Sequence, residues 1–315
     1  HGDLLEVASA GEAAEGRELL LVRIARPATD AGPAAERRAR ALVIGNIHGG
    51  EVEGKEALQE LVREFATGAH GDVLDAVELW LLPVYNVDGN EAIAVGNRRG
   101  QNGPDAVGRR HNGQDLDLNR DFVKADAPET RAMLRLFREV DPDLFVDLHT
   151  TNGSHHGYHL TYAPSLSPNV DDGVARWSRA LLDAATAELR AHGFRSFDYG
   201  NFETRDWDGG GAPASDGARG FYTYDSRPRY GVNYFGLRNR VGVLSEAYSY
   251  AGFATRIAVT KAFVLALLRG LAERRAELLS LTVRADRRLT QGGPAWSGRD
   301  TAFGDPEELP VLVGA

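Results

Sequence analysis

Three short segments carry side chains suited to metal-assisted hydrolysis. The first is Asn46-Ile47-His48-Gly49-Gly50-Glu51. His48 and Glu51 stand three residues apart, just past an apolar run and at the start of a helical pattern. That spacing lets an imidazole and a carboxylate converge on one cation, with two glycines giving the backbone room. Alone, the pair is explained as well by a turn histidine and a glutamate favoured by a helix N-terminus. The second is Asp147-Leu148-His149-Thr150, where a histidine closes an apolar strand. Taken alone, a satisfied core histidine accounts for it. The third is Ser245-Glu246-Ala247-Tyr248. A glutamate ending an apolar strand must be paired, hydrated or set in a cleft, because burying an unpaired carboxylate is costly. Three such segments at three strand ends of one chain are hard to attribute to chance. Two histidines and one carboxylate leave a position on Zn²⁺ open to water, the layout of a catalytic rather than a structural site.

The elements that must hold these segments alternate along the chain. Apolar runs at Leu19 to Ile24, Ala41 to Gly45, Val77 to Val84, Leu144 to Leu148, Tyr158 to Tyr162 and Val241 to Leu244 read as strands. Ala41 to Gly45 is apolar on both faces and so reads as central. Helical spacing marks Val52 to Phe65, Pro128 to Val140, Val174 to Ala191 and Phe253 to Leu279. Residues 96 to 116 and 200 to 220 are polar, glycine-rich and aperiodic; loops of that length are usually functional or disordered. Alternation of this kind predicts an α/β chain around one sheet. Ligands in such sheets gather beyond the carboxyl ends of strands, where all three segments lie. Residues 1–280 read as one catalytic domain, and residues 281–315, polar and rich in Gly and Pro, as a tail or linker.

Composition removes several function classes. At 315 residues, 43% hydrophobic and 26% charged, the chain matches an ordinary globular protein. Its net charge of −9 and lack of a dense basic tract argue against a nucleic-acid surface. It has no cysteine, which excludes disulfides, thiolate nucleophiles and zinc fingers. No apolar run reaches the roughly 18 residues of a membrane span. The chain opens at His1 rather than methionine, which reads as a processed product and favours a secreted or periplasmic location.

The segments resemble the zinc metallocarboxypeptidase family typified by carboxypeptidase A. Glu15-Gly16-Arg17 resembles its early E-G-R turn, and His48-Gly49-Gly50-Glu51 its H-x-x-E zinc motif. Asn86-Val87-Asp88-Gly89 resembles its N-P-D-G turn, with Val in place of Pro. Asp117-Leu118-Asn119-Arg120 is similar to its D-x-N-R motif, His149 to its third ligand and Glu246 to its catalytic glutamate. The motifs run in family order over residues 15 to 250.

The resemblance implies a three-layer α/β/α sandwich with a mixed, mostly parallel sheet of about eight strands. It implies one Zn²⁺ per chain held by His48, Glu51 and His149, with Asp117 orienting His48. Glu246 would be the general base for a zinc-bound water and then the proton donor to the leaving amine. Asn119 and Arg120 would grip the substrate carboxylate, which a guanidinium matches with two parallel hydrogen bonds. Arg110, nine residues before Asn119, is the expected oxyanion-stabilising arginine; Arg98, Arg99 and Arg109 compete for that role. Tyr224 is the expected tyrosine closing over substrate, with Tyr222, Tyr230 and Tyr234 as competitors.

The implied function is hydrolysis of the C-terminal peptide bond of a peptide with a free terminal carboxylate. One alternative is a related zinc amidohydrolase, such as a cell-wall peptide amidase or an N-acyl amino-acid deacylase. D-L-N-R favours the peptidase branch. Another is a non-catalytic binding module that kept the fold, which the presence of all three ligands and Glu246 disfavours. Arg227, Arg229, Arg238 and Arg240 raise an acidic C-terminal residue as a preference to test. His155, His156 and His159 crowd the segment after His149 as cleft or second-metal candidates, and Trp207 with Gly209 to Gly211 could form a cleft rim.

Overall fold

The computed structural model describes residues 4–27, 37–151, 154–202, 220–291 and 309–313. In chain order its elements are β1 (Leu5–Glu12), β2 (Glu18–Ile24), β3 (Ala39–Gly45), α1 (Glu53–Ala66), α2 (Gly71–Ala76) and β4 (Val77–Leu82). There follow α3 (Val87–Glu91), β5 (Ala94–Val95), β6 (Ala106–Val107), a 3₁₀ turn at Leu118–Arg120, α4 (Pro128–Val140), β7 (Leu144–Thr150) and β8 (Leu160–Pro164). The last are α5 (Asp172–Ala191), β9 (Ser196–Asp198), α6 (Gly231–Leu237), β10 (Val241–Ala247) and α7 (Phe253–Thr290).

Eight strands form one mixed sheet in the order β1-β2-β4-β3-β7-β10-β8-β9. The run β4-β3-β7-β10 is parallel, and β8-β9 is parallel as well. The pairings β1-β2, β2-β4 and β10-β8 are antiparallel. The central strands β7 and β10 are buried at every position, as parallel strands covered on both faces must be.

Alternation along the strands sends side chains to two cores. Val43, Leu79, Val146 and Val243 meet α1, α5 and α7 through Leu58, Trp177 and Phe263. Leu42, Ile44, Phe145 and Leu244 meet α4 and α6 through Met133, Phe137 and Phe235. The sheet therefore has helices against each face. The helices follow from their sequences. Leu58, Leu61 and Phe65 of α1 share one buried stripe. Pro128 opens α4, where its missing N–H costs nothing. Asp171 caps α5 by accepting from the Gly173 N–H at 2.9 Å.

Three differences from the sequence reading stand out. The edge strand β1 and the short α2, α3, α6, β5, β6 and β9 lack a period long enough to declare themselves. The strand expected from Tyr158 begins at Leu160. The boundary expected near residue 280 falls inside α7, which runs on to Thr290 because Thr282 and Ala285 continue its buried stripe beneath an arginine-rich outer face. Residues 309–313 return to the fold: Gly157 N–H donates to Leu312 O at 2.7 Å.

Candidate active site

The three expected ligands meet where β3 and β7 end. A turn and a strand carry them: His48 and Glu51 lie between β3 and α1, and His149 lies near the end of β7. One nitrogen or oxygen from each falls within 4.8 Å of the others, and all three residues are buried. The His48 Nδ1 is 2.9 Å from Glu51 Oε1, and the His149 Nδ1 is 2.9 Å from Glu51 Oε2. Both imidazoles thus aim Nδ1 at the same carboxylate. Two nitrogens and one oxygen at this spacing suit Zn²⁺, which takes imidazole and carboxylate ligands at about 2 Å. Among the described residues this is the only cluster of its kind.

The turn between β3 and α1 is built around Asn46, in the left-handed region at φ 60°. Its amide donates to the carbonyls of His48, Gly49 and Glu51 at 3.0–3.3 Å. A Cβ on Gly49 would sit 2.4 Å from the Gly89 backbone, so no side chain fits there. Asn86 caps α3 and donates to Ile47 O and Arg110 O, tying this turn to the loop bearing Arg110. Asp88 in turn accepts from Glu15 N–H and Arg17. The Glu15-Gly16-Arg17 and Asn86-Val87-Asp88-Gly89 segments therefore brace the site without lining it.

Both candidate-ligand imidazoles are backed by carboxylates. The His48 Nε2 lies 3.2 Å from Asp117 Oδ1, as expected for a group that fixes ring orientation. Asp117 also receives Arg110 at 2.8 Å. Burial pushes the Asp117 carboxyl up, but His48, Arg110 and Arg120 outweigh it and hold it well below the usual range. The His149 Nε2 lies 2.9 Å from Asp147 Oδ2, a charge contact with a fully buried carboxylate. Burial also opposes the charge on Glu51, yet Arg98, His48 and His149 prevail and keep it strongly acidic. Arg98 donates to Glu51 Oε1 at 2.7 Å.

Glu246 is the register partner of His149 on the neighbouring strand. It is 7% exposed and lines the same cleft, outside the ligand cluster. Burial, with Glu51 and Asp147 nearby and only partly offset by His149 and Arg98, pushes its carboxyl up to about 8. A divalent cation beside it would lower that value.

The cleft holds every expected site residue except Asp117, which sits behind His48. Asn119 turns its Oδ1 to the Gly231 N–H at 3.0 Å, leaving its NH₂ towards His149. Arg120 lies 4.6 Å over the Tyr230 ring. Among the described residues the buried Tyr224 hydroxyl has no hydrogen-bond partner, and Tyr199, Tyr230, Val232 and Leu244 complete the wall. Tyr199 was not singled out by sequence, because it follows a three-residue strand with no motif.

Of the competing candidates, Tyr230 lines the cleft and Arg98 reaches Glu51, and the others fall elsewhere. Arg109 donates to Asn112 O, Arg99 is exposed, and neither lines the cleft. Tyr222 pairs with Asn201, and Tyr234 packs on Phe122. Arg227 and Arg229 bind Asp225, Arg240 binds Asp141 and Asp286, and Arg238 stacks on Phe137. Among the described residues, none of these four lines the cleft. His155 stacks on Tyr250, His156 is buried against Tyr248, and His159 accepts from the Arg195 N–H. They form no metal cluster among the described residues. Trp207 and Gly209 to Gly211 lie outside the described residues.

Comparison with known proteins identifies the family. The family model described as zinc carboxypeptidase matches residues 1–235. Mouse carboxypeptidase D is 32% identical over 162 residues, 43% of this chain and 12% of that protein. Human carboxypeptidase Z is 38% identical over 121 residues, 36% of this chain and 18% of that protein. These matches span under a fifth of those relatives' length. A metallo-carboxypeptidase from Burkholderia cenocepacia superposes with a TM-score of 0.62 at 17% identity, covering 85% of this chain and 65% of that one. One from Pseudomonas aeruginosa, solved with (2-guanidinoethylmercapto)succinic acid, gives 0.60 at 19% identity, covering 87% and 65%. At such identities the superpositions speak for the fold. Glu246 lies beyond the matched residues, and its placement rests on β10 alone. A family match over most of the chain, joined to a buried two-histidine, one-glutamate cluster at the sheet's carboxyl edge, makes this protein a member of the zinc carboxypeptidase family.

Proposed function

We propose that the protein removes the C-terminal residue from peptides ending in a free carboxylate. The observation that carries this reading is one cleft holding the His48-Glu51-His149 cluster, the separate carboxylate of Glu246, and the cations Arg110 and Arg120. Bound zinc would polarise the scissile carbonyl and acidify water. The Arg120 guanidinium and the Asn119 NH₂ bind the terminal carboxylate and set the distance to the bond that is cut. Glu246 accepts a proton from the attacking water and returns it to the departing amine. Arg110, held by Asp117, faces the oxygen on which negative charge develops. Tyr224 and Tyr199 wall off water beside the terminal residue.

The test compares one peptide with a free or an amidated C-terminus, read by mass spectrometry. Amidation removes the charged partner of the half-buried Arg120, and a hydrogen bond to a charged group is worth about 1.5 to 3 kcal/mol. The amide should therefore fall at least about tenfold in kcat/KM. Arg120→Ala should weaken the free-acid substrate and erase most of that difference. Efficient cutting of amidated peptides, or cutting at internal bonds, would refute carboxypeptidase action and point to the related amidohydrolases.

A further inference from the structure

Arg98 belongs to the loop that joins β5 and β6, far in sequence from any metal-ligand motif. Its side chain nonetheless reaches the middle of the metal cluster. One guanidinium nitrogen donates to Glu51 Oε1 at 2.7 Å, and another donates to Thr150 O at 2.7 Å and Thr151 O at 3.3 Å. The fork thus joins the carboxylate of one ligand to the backbone just beyond another, His149. We propose that Arg98 is a positioning residue that fixes Glu51 against the end of β7 and so sets the geometry, and the affinity, of the zinc site. The inference rests on the zinc carboxypeptidase reading above.

Four further observations support it. First, Thr150 is gripped on every polar atom. Its N–H donates to Glu51 Oε2 at 3.0 Å, its hydroxyl to Glu53 Oε1, and its carbonyl accepts from Arg98. The residue after His149 is therefore locked to the turn that carries His48 and Glu51. Second, Gly50 leaves the path open: a Cβ there would lie 3.4 Å from Arg98 Cδ and 2.8 Å from Gly108 O. Third, the loop bearing Arg98 is itself anchored. The fully buried Arg256 donates to Asn102 O and Gly103 O and faces Glu53 at 3.5 Å. Glu51 and Glu53 leave the start of α1 two residues apart, and each meets its own arginine. Fourth, Arg98 is not part of the cleft wall, whereas Arg110 and Arg120 are. It acts through Glu51 and the backbone rather than on substrate.

Orientation and charge predict opposite outcomes. A cation beside Glu51 repels Zn²⁺, so a purely electrostatic Arg98 would weaken metal binding, and its removal would tighten it. An orienting Arg98 predicts the reverse, since loss of a group that holds a ligand typically weakens metal affinity by about 10- to 100-fold. Lysine separates the two: it keeps the charge, but its compact ammonium cannot span Glu51 and two carbonyls as a planar fork does.

The experiment is chelator-competition titration of Zn²⁺ into the metal-free full chain. The proteins are the wild type, Arg98→Met and Arg98→Lys, with fold checked by circular dichroism. The zinc Kd is expected to rise at least about tenfold in both variants. At saturating zinc, peptide turnover should return in Arg98→Met with its KM within about twofold of wild type, while His149→Ala stays inactive. An unchanged or lower zinc Kd in Arg98→Met overturns the proposal. If that variant does not fold, an unchanged Kd in Arg98→Lys overturns it instead. A raised KM with unaltered zinc affinity would move Arg98 to substrate binding and overturn it too. A wild type that takes up no zinc at all would mark failure of the family-based reading, a separate result.

Discussion

Glu246 and His149 stand opposite each other on adjacent parallel strands, in the register that also pairs Leu244 with Asp147. Register partners project to the same face of a sheet. The candidate base is therefore set beside a candidate ligand by the strand ladder itself, and no loop has to move to bring them together.

Glu246→Gln keeps the shape and removes the proton acceptor. Zinc content should stay at about one per chain, because the ligand cluster does not include this residue. kcat should fall by about 10² to 10⁴, the usual contribution of general acid–base catalysis. Metal analysis and turnover on one preparation check both, and undiminished turnover would place the base elsewhere.

The ligands should behave in the opposite way. Glu51→Gln, His48→Ala and His149→Ala should each lose zinc, read by elemental analysis after dialysis. Full zinc occupancy in the two histidine variants would remove the assignment.

Acidity gives a third test, on the metal-free protein. The Glu246 carboxyl is raised by burial to about 8, above its unfolded value near 4.5. The folded state then holds a proton that the unfolded chain releases between those values, so folding stability falls as pH rises from about 4.5 to 8. Unfolding midpoints of the metal-free wild type should decline across that window, and those of Glu246→Gln should decline less. Zinc should flatten the wild-type curve, because a nearby dication favours the charged carboxylate. Parallel curves for the two metal-free proteins would contradict the burial argument.

The Glu53–Arg256 pair offers a fourth. Both side chains are almost wholly buried, and burial raises the Glu53 carboxyl despite Arg256. Arg256→Met should cost roughly 3 to 5 kcal/mol by leaving Glu53 uncompensated, whereas Glu53→Gln with Arg256→Met should recover part of that loss. Denaturant unfolding of the single and double variants decides it.

Much of the site was legible because its residues interrupt strong apolar patterns. His149 and Glu246 are polar breaks near the ends of mostly apolar strands, and His48 and Glu51 sit between a strand and a helix of clear period. Arg110, Asn119 and Arg120 were expected only through the family resemblance, and the cleft contains them. What stayed hidden depends on contacts between distant segments. Asn46 is the scaffold of the first turn, yet its signal is a backbone angle. Arg98 looked like one of four arginines in a polar loop; only the folded chain shows that it reaches Glu51. Asp147 was visible as a polar residue in a buried strand, but nothing in the sequence says that it faces the His149 ring. The short β9 and α6, which bring Tyr199 and Val232 to the cleft, are too brief for periodicity to register.

The place of β10 in the sheet has a consequence for how the molecule is assembled. It lies between β7 and β8, both of which precede it in the chain. During synthesis, the segments bearing His48, Glu51 and His149 emerge well before Glu246, while β7 and β8 each keep an unsatisfied edge, a template for unwanted pairing. Insertion of β10 closes both edges and delivers Glu246, the proposed base, in a single event. On the proposed mechanism the candidate ligands are then made before the base, and regained turnover during refolding should report the arrival of this one strand.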